Sequence, residues 1–417
     1  MMMASPEISP VGGPEGGDSC RAALDWLYGT QSFGIKLGLE GIMRLLDACG
    51  VRHPRARVMH VAGTNGKGST CAFAESVARA AGYRTGLFTS PHLVHFSERI
   101  RVDGEPIPDA DIARLIGQLR RTIEGWETTP TFFELVLALA MLYFAERDVD
   151  LIILETGMGG RLDATNAVPK DVAVIAPIGM DHMQYLGDTL AAIAGEKAAI
   201  IAPGRPVLSA PQQPEALRVI EEVAREREAP LRVVSEPCEL PLGLRGSHQR
   251  LNAALALAAL RALPQMPMEA AAVARGLAEV RWPGRFEEVA PGVIMDGAHN
   301  PPAMRVLVQC WREAFGDRRA RCIFAGSADK DLTTVLSLLS PIVESWVLPP
   351  VRSPRILPAA ELAERVRACS SAPVSCPGTL AEALEDLRPG TLICGSFFLI
   401  GEAKALLAAA DYRQTAQ

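Results

Sequence analysis

The stretch of residues 58–70, VMHVAGTNGKGST, combines residue types that bind phosphate groups. A short apolar run is followed by three glycines around Lys67, and then by a segment with helical character. Glycines allow backbone N–H groups to converge on phosphate oxygens, a helix N-terminus adds positive potential, and a lysine adds a point charge. The stretch departs from the strict G-x-x-x-x-G-K-[ST] pattern because a glycine separates Lys67 from Ser69. It predicts a phosphate site; the alternative is a structural turn, which the interleaved Thr, Asn and Lys disfavour.

Three further polar side chains follow apparent strands, as Lys67 does: Ser90, Glu155 and His182. In doubly wound sheets the ligand site lies at the carboxyl ends of the strands, so we expect these side chains to lie near the phosphate loop. Glu155 follows four apolar residues and precedes a glycine turn. Its carboxylate can coordinate Mg²⁺ there or, alternatively, cap a helix or pair with a loop cation. His182 is a softer ligand than Mg²⁺ prefers, and a structural role for it stays open.

Lys197 lies in a helical segment beside apolar residues, GEKAAI. Its amine either extends to solvent or is held in a site. In a site, a lowered pKa would make the amine nucleophilic, even towards CO₂. The position of Lys197 alone does not choose between these two interpretations.

A second group of reactive side chains follows an apparent linker, RWPGR at residues 281–285. It consists of Arg285 and the stretch DGAHNP, residues 296–301. A second domain that presents Arg, Asp and His to a nucleotide would close the site and exclude water. The alternatives are a salt bridge for Arg285 and a helix-capping turn with Asn300 as the N-cap and proline after it.

Short apolar strands alternate with helical segments along the chain, which indicates an α/β fold with a doubly wound, mostly parallel sheet. A second alternation begins after the linker and is long enough for a separate α/β domain. We therefore predict a disordered Gly/Pro-rich tail over residues 1–18, a central domain over 19–283 and a C-terminal domain over 284–417.

Local signals predict where individual elements begin. The T-x-x-E pattern of Thr131 and Glu134 is a capping box, which predicts a helix running to Ala145. The dipeptide Asp103-Gly104 predicts a hairpin turn.

Composition excludes several classes of function. The chain has 417 residues, 48% hydrophobic content and a formal net charge of −6, which suits an enzyme and disfavours a nucleic-acid-binding surface. No apolar run reaches the length of a membrane span, and the N-terminus lacks the pattern of a signal peptide. Nine cysteines without a C-x-x-C pair indicate reduced thiols. We therefore expect a cytoplasmic enzyme without nucleic-acid or membrane partners.

The order of motifs resembles that of folylpolyglutamate synthases and the related bifunctional dihydrofolate synthases, which belong with the Mur-type ATP-dependent amide ligases. The resemblance covers roughly residues 20–400, and its most specific parts are GTNGKGS, GGRLDATN and DGAHNP. The other matching segments, in chain order, are TSPHL with SERIRV, TFFE, DH, GEKA, HQRLNA, PGRFE, the G-x-x-x-K-D of Gly326 to Asp331, and CGSF. This resemblance implies an ATP-binding domain of the Mur type, followed by a smaller Rossmann-like C-terminal domain.

The resemblance also implies site residues. ATP would be bound by Thr64, Asn65, Gly66, Lys67, Gly68, Ser69, Asn252, Arg285 and Asp296. Mg²⁺, in two ions, would be held by Ser90, Glu155, His182 and Lys197, the last carbamylated by CO₂. The pterin substrate would contact Thr131, Phe132, Phe133, Glu134, Leu162, Asp163 and Ala164. Lys67, Lys197 and His299 would be catalytic.

The implied activity is the addition of L-glutamate to folates, and also to dihydropteroate, through an acyl phosphate formed with ATP by a monomeric enzyme. One alternative is a Mur-like ligase that acts on a non-folate acid; fewer than 60 residues precede the phosphate loop, which leaves little room for a Mur-type N-terminal domain. The other is a P-loop ATPase or nucleotide switch, which should not require an amino-acid acceptor.

Overall fold

The computed structural model describes residues 15–33, 38–410 and 412. Two β-sheets organise this part of the chain. The strands of the first sheet are β1 (Arg57–Ala62), β2 (Thr85–Phe88), β3 (Ile100–Val102), β4 (Glu105–Pro106), β5 (Leu151–Glu155), β6 (Val172–Ile175), β7 (Val207–Ser209) and β8 (Leu231–Val233). The strands of the second sheet are β9 (Glu287–Ala290), β10 (Val293–Met295), β11 (Ala320–Phe324), β12 (Val343–Val347), β13 (Val374–Ser375) and β14 (Thr391–Cys394).

Both sheets are mostly parallel, as the sequence predicts. The first has the order β4-β3-β2-β5-β1-β6-β7-β8, and its two antiparallel pairs are β2–β3 and β3–β4. The second has the order β13-β12-β11-β14-β10-β9, with β9 as its antiparallel edge. The central strands β1, β5 and β6 are buried almost throughout, because helices cover both faces of the sheet.

Fifteen α-helices are present among the described residues: α1 (Glu15–Gly29), α2 (Glu40–Ala48), α3 (Lys67–Ala80), α4 (Asp109–Thr122), α5 (Phe132–Glu146), α6 (Met183–Leu186), α7 (Leu190–Ala198), α8 (Pro214–Glu226), α9 (His248–Ala262), α10 (Ala270–Glu279), α11 (Pro301–Phe315), α12 (Leu332–Leu339), α13 (Ala359–Cys369), α14 (Leu380–Glu385) and α15 (Phe397–Leu407). Short 3-10 helices occupy Thr30–Phe33, Phe96–Arg99, Ala164–Ala167 and Ser340–Ile342. In the described residues, no helix combines the length and the apolar character needed to cross a membrane.

The hydrophobic cores follow this layering. Helices α3, α9 and α10 pack on one face of the first sheet, and α1, α2, α4 and α5 pack on the other. Helices α7 and α8 cover the β6–β7 end. The second sheet has its own cores on its two faces. Leu93 and Val94, which follow β2, pack into one of the cores of the second sheet, so the two domains share an apolar contact beside the polar residues discussed below.

The local signals are confirmed. Thr131 caps α5 and forms the capping box, since its Oγ1 accepts from the Glu134 N–H at 3.3 Å and the Glu134 carboxylate accepts from the Thr131 N–H at 2.7 Å. Asp103 and Gly104, both with positive φ, form the turn between β3 and β4. Asn300 caps α11, whose first residue is Pro301.

Several elements differ from the sequence prediction. Helix α1 already begins at Glu15, inside the predicted tail, while residues 1–14 of that tail lie outside the described residues. The sequence analysis also missed α10, α14 and two edge strands, β9 and β13. The edge strands escape pattern recognition because they are short and none of their residues is fully buried.

Candidate active site

The phosphate loop connects the end of β1 to the start of α3. Gly66 has a φ of 83°, a left-handed conformation that favours glycine, and a Cβ there would lie 2.7 Å from Asn252 Oδ1. The Thr64 hydroxyl donates to the Gly179 carbonyl at 3.0 Å and accepts from the Gly179 N–H at 3.1 Å. The loop is thereby tied to the segment after β6. Helix α3 then begins at Lys67, so its first turn directs unpaired N–H groups towards the loop.

Two lysines converge on one oxygen of this loop. Lys67 Nζ and Lys197 Nζ donate to the Gly63 carbonyl oxygen at 3.1 Å and 3.0 Å. Lys197 is buried, and burial, followed by the nearby Lys67 charge, lowers its pKa to about 7. The amine of Lys197 therefore does not extend to solvent. Of the two interpretations of its position, the structure supports the one in which the amine is held in a site.

Ser90 and Glu155 come together at the ends of the adjacent strands β2 and β5. The Ser90 N–H donates to Glu155 Oε2 at 3.1 Å, and the carboxylate is almost fully buried. Burial raises the pKa of Glu155, with Lys67 and the Ser90 N–H opposing the shift. A Cβ on Gly68 would lie 3.6 Å from Glu155 Oε1 and 3.0 Å from Trp282 Nε1. The carboxylate thus approaches the first turn of α3, and its oxygens are ligands of the kind that Mg²⁺ prefers.

His182 lies between β6 and α6, with a left-handed backbone φ of 51°. Its ring contacts Asp181 at 3.9 Å, and burial lowers the pKa of His182 to about 4, so the imidazole is neutral. Within the part of the chain that the structure describes, no three His, Cys, Asp or Glu side chains form a metal-binding group. The pair of Glu155 and Ser90 fits a divalent ion that is bound with further ligands.

Asp181 connects the two domains. Its Oδ1 accepts from Lys330 Nζ at 2.6 Å and its Oδ2 accepts from Asn300 Nδ2 at 2.8 Å, while His299 Nε2 lies 3.7 Å from Oδ2. Burial alone would raise the pKa of Asp181. Hydrogen bonding and charge from His299, and then the charges of Lys330 and His182, outweigh burial and hold that pKa well below its usual range. We call Asp181, Asn300 and Lys330 the Asp181 clasp.

The clasp reaches the phosphate loop directly. Asn65 and Asn300 exchange amide hydrogen bonds of 3.1 and 3.2 Å. His299 donates from Nδ1 to the Gly297 carbonyl at 2.8 Å, which directs Nε2 towards Asp181, and its ring packs against Phe397. The DGAHNP stretch therefore combines both interpretations: it caps a helix and it also presents side chains to the phosphate loop.

The remaining predicted ATP residues occupy different positions. The Arg285 guanidinium lies over the Phe397 ring, 5.0 Å from its centroid. The Asp296 carboxylate accepts from the Phe286 and Ala298 N–H groups, at 2.8 Å each, and burial raises its pKa. Asp296 thus holds the loop before α11. Asn252 is buried beside Gly66, with its amide donating to Gln249 at 2.9 Å.

A cleft between the two sheets contains part of this set. Its lining includes Gly68, Ser90, Glu155, Trp282, Arg285 and Phe397. Arg101 also lines the cleft, and its guanidinium lies 5.6 Å from the Trp282 ring centroid. The cleft is bordered by residues from both sides of the linker, so a ligand in it would contact both domains.

The predicted pterin residues divide into internal and accessible groups. Phe132 is buried and stacks on Tyr28 at 5.5 Å, and the polar groups of Thr131 and Glu134 form the capping box. Phe133 is partly buried and Leu162 is 42% exposed, so these two have surface that can contact a ligand.

Asp163 and Ala164, the other two predicted pterin residues, are buried. The Asp163 carboxylate accepts from the Met158 N–H at 2.9 Å and from the Thr165 N–H at 3.0 Å.

Sequence reasoning assigned no role to several residues that the structure brings to the site. They are Asp181, Lys330, Trp282 and Phe397; a fifth residue, Asn300, was expected only as a helix cap and also binds Asp181. All five lie in or beside motifs already noted, namely DH, G-x-x-x-K-D, DGAHNP, PGRFE and CGSF. The motifs were therefore the available signal, but which of their side chains meet across the two domains is a property of the tertiary structure.

Comparison with known proteins extends these observations. The profile of the Mur ligase middle domain matches residues 61–210, and that of the Mur ligase glutamate ligase domain matches residues 284–396. The chain is 36% identical to the dihydrofolate synthase/folylpolyglutamate synthase of Bacillus subtilis strain 168, over 92% of this chain and 98% of that protein.

Two solved structures are similar to this one throughout. FolC of Escherichia coli in complex with DHPP and ADP has a TM-score of 0.82 and 33% identity, and the match covers 93% of this chain and 98% of that chain. The bifunctional folylpolyglutamate synthase/dihydrofolate synthase of Yersinia pestis with AMPPNP and Mn ion has a TM-score of 0.84 and 31% identity, covering 95% of this chain and 100% of that chain.

Proposed function

The chain belongs to the dihydrofolate synthase/folylpolyglutamate synthase family of the Mur ligase superfamily, and from this premise we propose how its residues carry out the family reaction. The activity is the ATP-dependent addition of L-glutamate to a folate. The roles of individual residues, the use of dihydropteroate as a second acceptor and the modification of Lys197 are our proposals. The observation that carries them is the convergence of Lys67, Glu155 and the Asp181 clasp on one phosphate loop.

ATP binds with its phosphates against the first turn of α3. The N–H groups of that turn and the Lys67 ammonium oppose the phosphate charge, and the glycines of the loop allow the phosphates to approach the backbone. Thr64, Asn65 and Ser69 complete the loop, and Asn252 supports Gly66 from α9. Arg285 and Asp296 contribute from the second domain, Arg285 through its charge and Asp296 by holding the loop on which His299 lies.

Glu155 and Ser90 would hold Mg²⁺, which when bound offsets the charge of the transferring phosphate. His182 would be a further ligand of the metal, with an imidazole that burial keeps neutral. A second ion would require a further oxygen ligand there.

Lys197 can supply that ligand if it is carbamylated. The lone pair of the neutral amine attacks the carbon of CO₂, an N–C bond forms, and the nitrogen loses one proton to solvent, which leaves a carbamate anion. Burial next to Lys67 supports this step, because it favours the neutral amine. NMR with carbon-13-labelled bicarbonate should detect a carbamate signal that is absent in Lys197→Arg; no difference between the two proteins would refute the modification.

The reaction proceeds in two steps, and water must be excluded from the site during both. A carboxylate oxygen of the folate attacks the γ-phosphorus of ATP, the bond to the β–γ bridging oxygen breaks, and ADP leaves behind an acyl phosphate. The amine of L-glutamate then attacks the acyl carbon, phosphate departs, and the nitrogen loses a proton as the amide forms. Lys67 and the α3 N-terminus stabilise the charge of the first step. The Asp181 clasp holds the domains together around the intermediate, which water would hydrolyse.

The pterin end of the acceptor would lie against Phe133 and the exposed Leu162, near the carboxyl ends of β2 and β5. The other predicted pterin residues would support Phe133 and Leu162 without contacting the pterin: Thr131, Phe132, Glu134, Asp163 and Ala164. The monomeric state and the cytoplasmic location remain predictions from the sequence.

The deciding measurement is ADP release with and without L-glutamate, using dihydropteroate in one series and a reduced folate in another. Glutamate-dependent release with both acceptors supports a bifunctional enzyme, and release with one acceptor assigns that single activity. If neither acceptor supports ADP release, the proposal is wrong. The protein is then better explained as a ligase for a different acid or as a nucleotide switch. Substrate labelled with oxygen-18 in its carboxylate should transfer one label to phosphate, because the acyl phosphate loses that oxygen to the leaving phosphate.

A further inference from the structure

The centre of the first sheet contains a polar side chain with no part in the reaction as described so far. His60 lies in the middle of β1, between Leu154 of β5 and Ala173 of β6, and is fully buried. A buried imidazole is costly unless it is hydrogen-bonded, and an apolar residue would pack well at this depth. Its Nε2 lies 2.7 Å from Thr165 Oγ1, whereas the buried Nδ1 has no hydrogen-bond partner among the described residues.

Thr165 passes this interaction on to Asp163. The Thr165 Oγ1 lies 2.5 Å from Asp163 Oδ1. A carboxylate only accepts, so the hydroxyl donates its single proton to Asp163, and its oxygen then accepts from His60. The imidazole must therefore carry a proton on Nε2. Burial, with a smaller contribution from Lys170, lowers the pKa of His60 well below its ordinary value, in agreement with a neutral ring.

Asp163 in turn joins the two ends of a loop. Its Oδ2 accepts from the Met158 N–H at 2.9 Å, and its Oδ1 also accepts from the Thr165 N–H at 3.0 Å. The orientation of this one carboxylate thus sets the shape of residues 157–164. The loop packs on Phe133, since a Cβ on Gly157 would lie 2.8 Å from Phe133 Cζ. It also carries Leu162, which is exposed.

We propose that His60 is a positioning residue for the pterin-bearing substrate: by donating to Thr165 it orients the Asp163 carboxylate, and so holds residues 157–164 against Phe133. This inference rests on the proposed function, which assigns Phe133 and Leu162 to that substrate. Every donor in the chain from His60 to Asp163 belongs to the first domain. Residues 157–164 therefore have their shape before the substrate binds. The free energy of binding then does not include the entropic cost of ordering this loop.

The test compares three variants in steady-state kinetics with each substrate varied in turn. His60→Leu should raise the KM for the pterin substrate about tenfold, the equivalent of one lost hydrogen bond, with kcat and the KM values for ATP and L-glutamate nearly unchanged. His60→Gln should restore most of the affinity, because its side-chain N–H can occupy the place of Nε2–H. Thr165→Val removes the hydroxyl without changing side-chain size and should reproduce the effect, even if His60→Leu does not fold.

The effects of His60→Leu and Thr165→Val should not add, since both break one chain of hydrogen bonds. Met59→Ala is the matched control: it is the adjacent residue, equally buried on β1, and faces the opposite side of the sheet. A similar KM increase in Met59→Ala would overturn the proposal, as would equal effects on all three substrates or an unchanged pterin KM. Nitrogen-15 NMR that finds the His60 proton on Nδ1 would do the same. Wild-type protein that is inactive with both pterin acceptors would instead refute the proposed function.

Discussion

Two aspartates near the phosphate loop, Asp181 and Asp163, are stabilised in different ways. Asp181 accepts from Lys330 and Asn300 of the second domain, and positive groups hold its pKa well below the usual range. Asp163 accepts only from neutral donors of its own domain, and burial raises its pKa. The ionised form of Asp181 depends on positive charge from the second domain. Asp163 depends on hydrogen bonds that all come from the first domain.

This difference indicates different roles in the reaction. The Asp181 clasp exists only while the two domains are in contact, so its loss should affect the steps that need a closed site. The Asp163 network is complete within the first domain, so its loss should affect the binding of one substrate. The predictions below, in order of decreasing effect, test this separation.

The largest effect on turnover is expected at the phosphate site itself. Glu155→Ala removes the buried carboxylate beside Lys67 and Ser90, and turnover should fall roughly a thousandfold or more, because charge on the transferring phosphate is no longer offset. ADP release measures this, and thermal unfolding should show an intact fold. Glu146→Ala, at an exposed glutamate that ends α5, is the control. Full activity in Glu155→Ala would refute the metal assignment.

A smaller but still large effect is expected when the clasp is broken. Asp181→Asn removes the carboxylate 2.6 Å from the Lys330 ammonium and leaves only the more distant Asp329 at 3.9 Å, a change that we expect to cost about 3 kcal/mol, which corresponds to roughly a hundredfold in rate. The loss should appear in kcat, whereas Asp163→Asn should mainly raise the KM for the pterin substrate. A double-mutant cycle with Lys330→Met should show strong coupling to Asp181→Asn. If Asp163→Asn lowers kcat as much as Asp181→Asn does, the two regions are not separate.

The raised pKa of Asp163 predicts how stability depends on pH. Because burial raises that pKa in the native state, folded protein binds a proton more readily than unfolded protein, whose Asp has a pKa of about 3.9. Stability contributed by Asp163 therefore increases as pH falls from neutral towards about 4. The difference in free energy of unfolding, wild type minus Asp163→Asn, should rise over this range in urea titrations. A difference that falls instead would contradict the assignment. The other titratable groups that interact with Asp163 are Glu155, Lys170 and Lys197, and His60 reaches Asp163 through Thr165.

The smallest effect is expected at a charged residue of the same GGRLDATN motif. Arg161 pairs with Glu196 at 2.8 Å, and its side chain is 53% exposed. Such surface pairs contribute less than about 1 kcal/mol, so Arg161→Gln should leave every KM and kcat nearly unchanged. Kinetics and urea unfolding measure both quantities. A large KM increase for the pterin substrate would mean that the outer side of the loop, and not Asp163, determines its shape.

Much of the first domain follows from local sequence. The apolar runs of β1, β5 and β6, the glycines around Lys67, the capping box at Thr131 and the cap at Asn300 each act over a few residues, so pattern reasoning finds them. Two edge strands and α10 were not found. Edge strands are short and only partly buried, and they therefore lack a periodic signal.

The candidate site could be predicted only in part. Placement after strand ends correctly indicated that Ser90 and Glu155 meet, because parallel strands bring their carboxyl ends to one edge. The same placement rule put His182 near them, but His182 follows its strand by several positions, and its backbone adopts a left-handed conformation that the pattern did not indicate. Asp163 was expected at the substrate, but its carboxylate joins the two ends of its loop.

The sequence by itself determined the α/β class, the phosphate loop, the family and a set of candidate residues for the chemistry, because these depend on residue type and short-range spacing. Only the tertiary structure decided which of these residues meet. Asp181 and Lys330 are separated by 149 positions, and His60 and Thr165 by 105. Whether such distant groups form a hydrogen bond depends on how helices and domains pack around the sheets, and no local pattern records that packing.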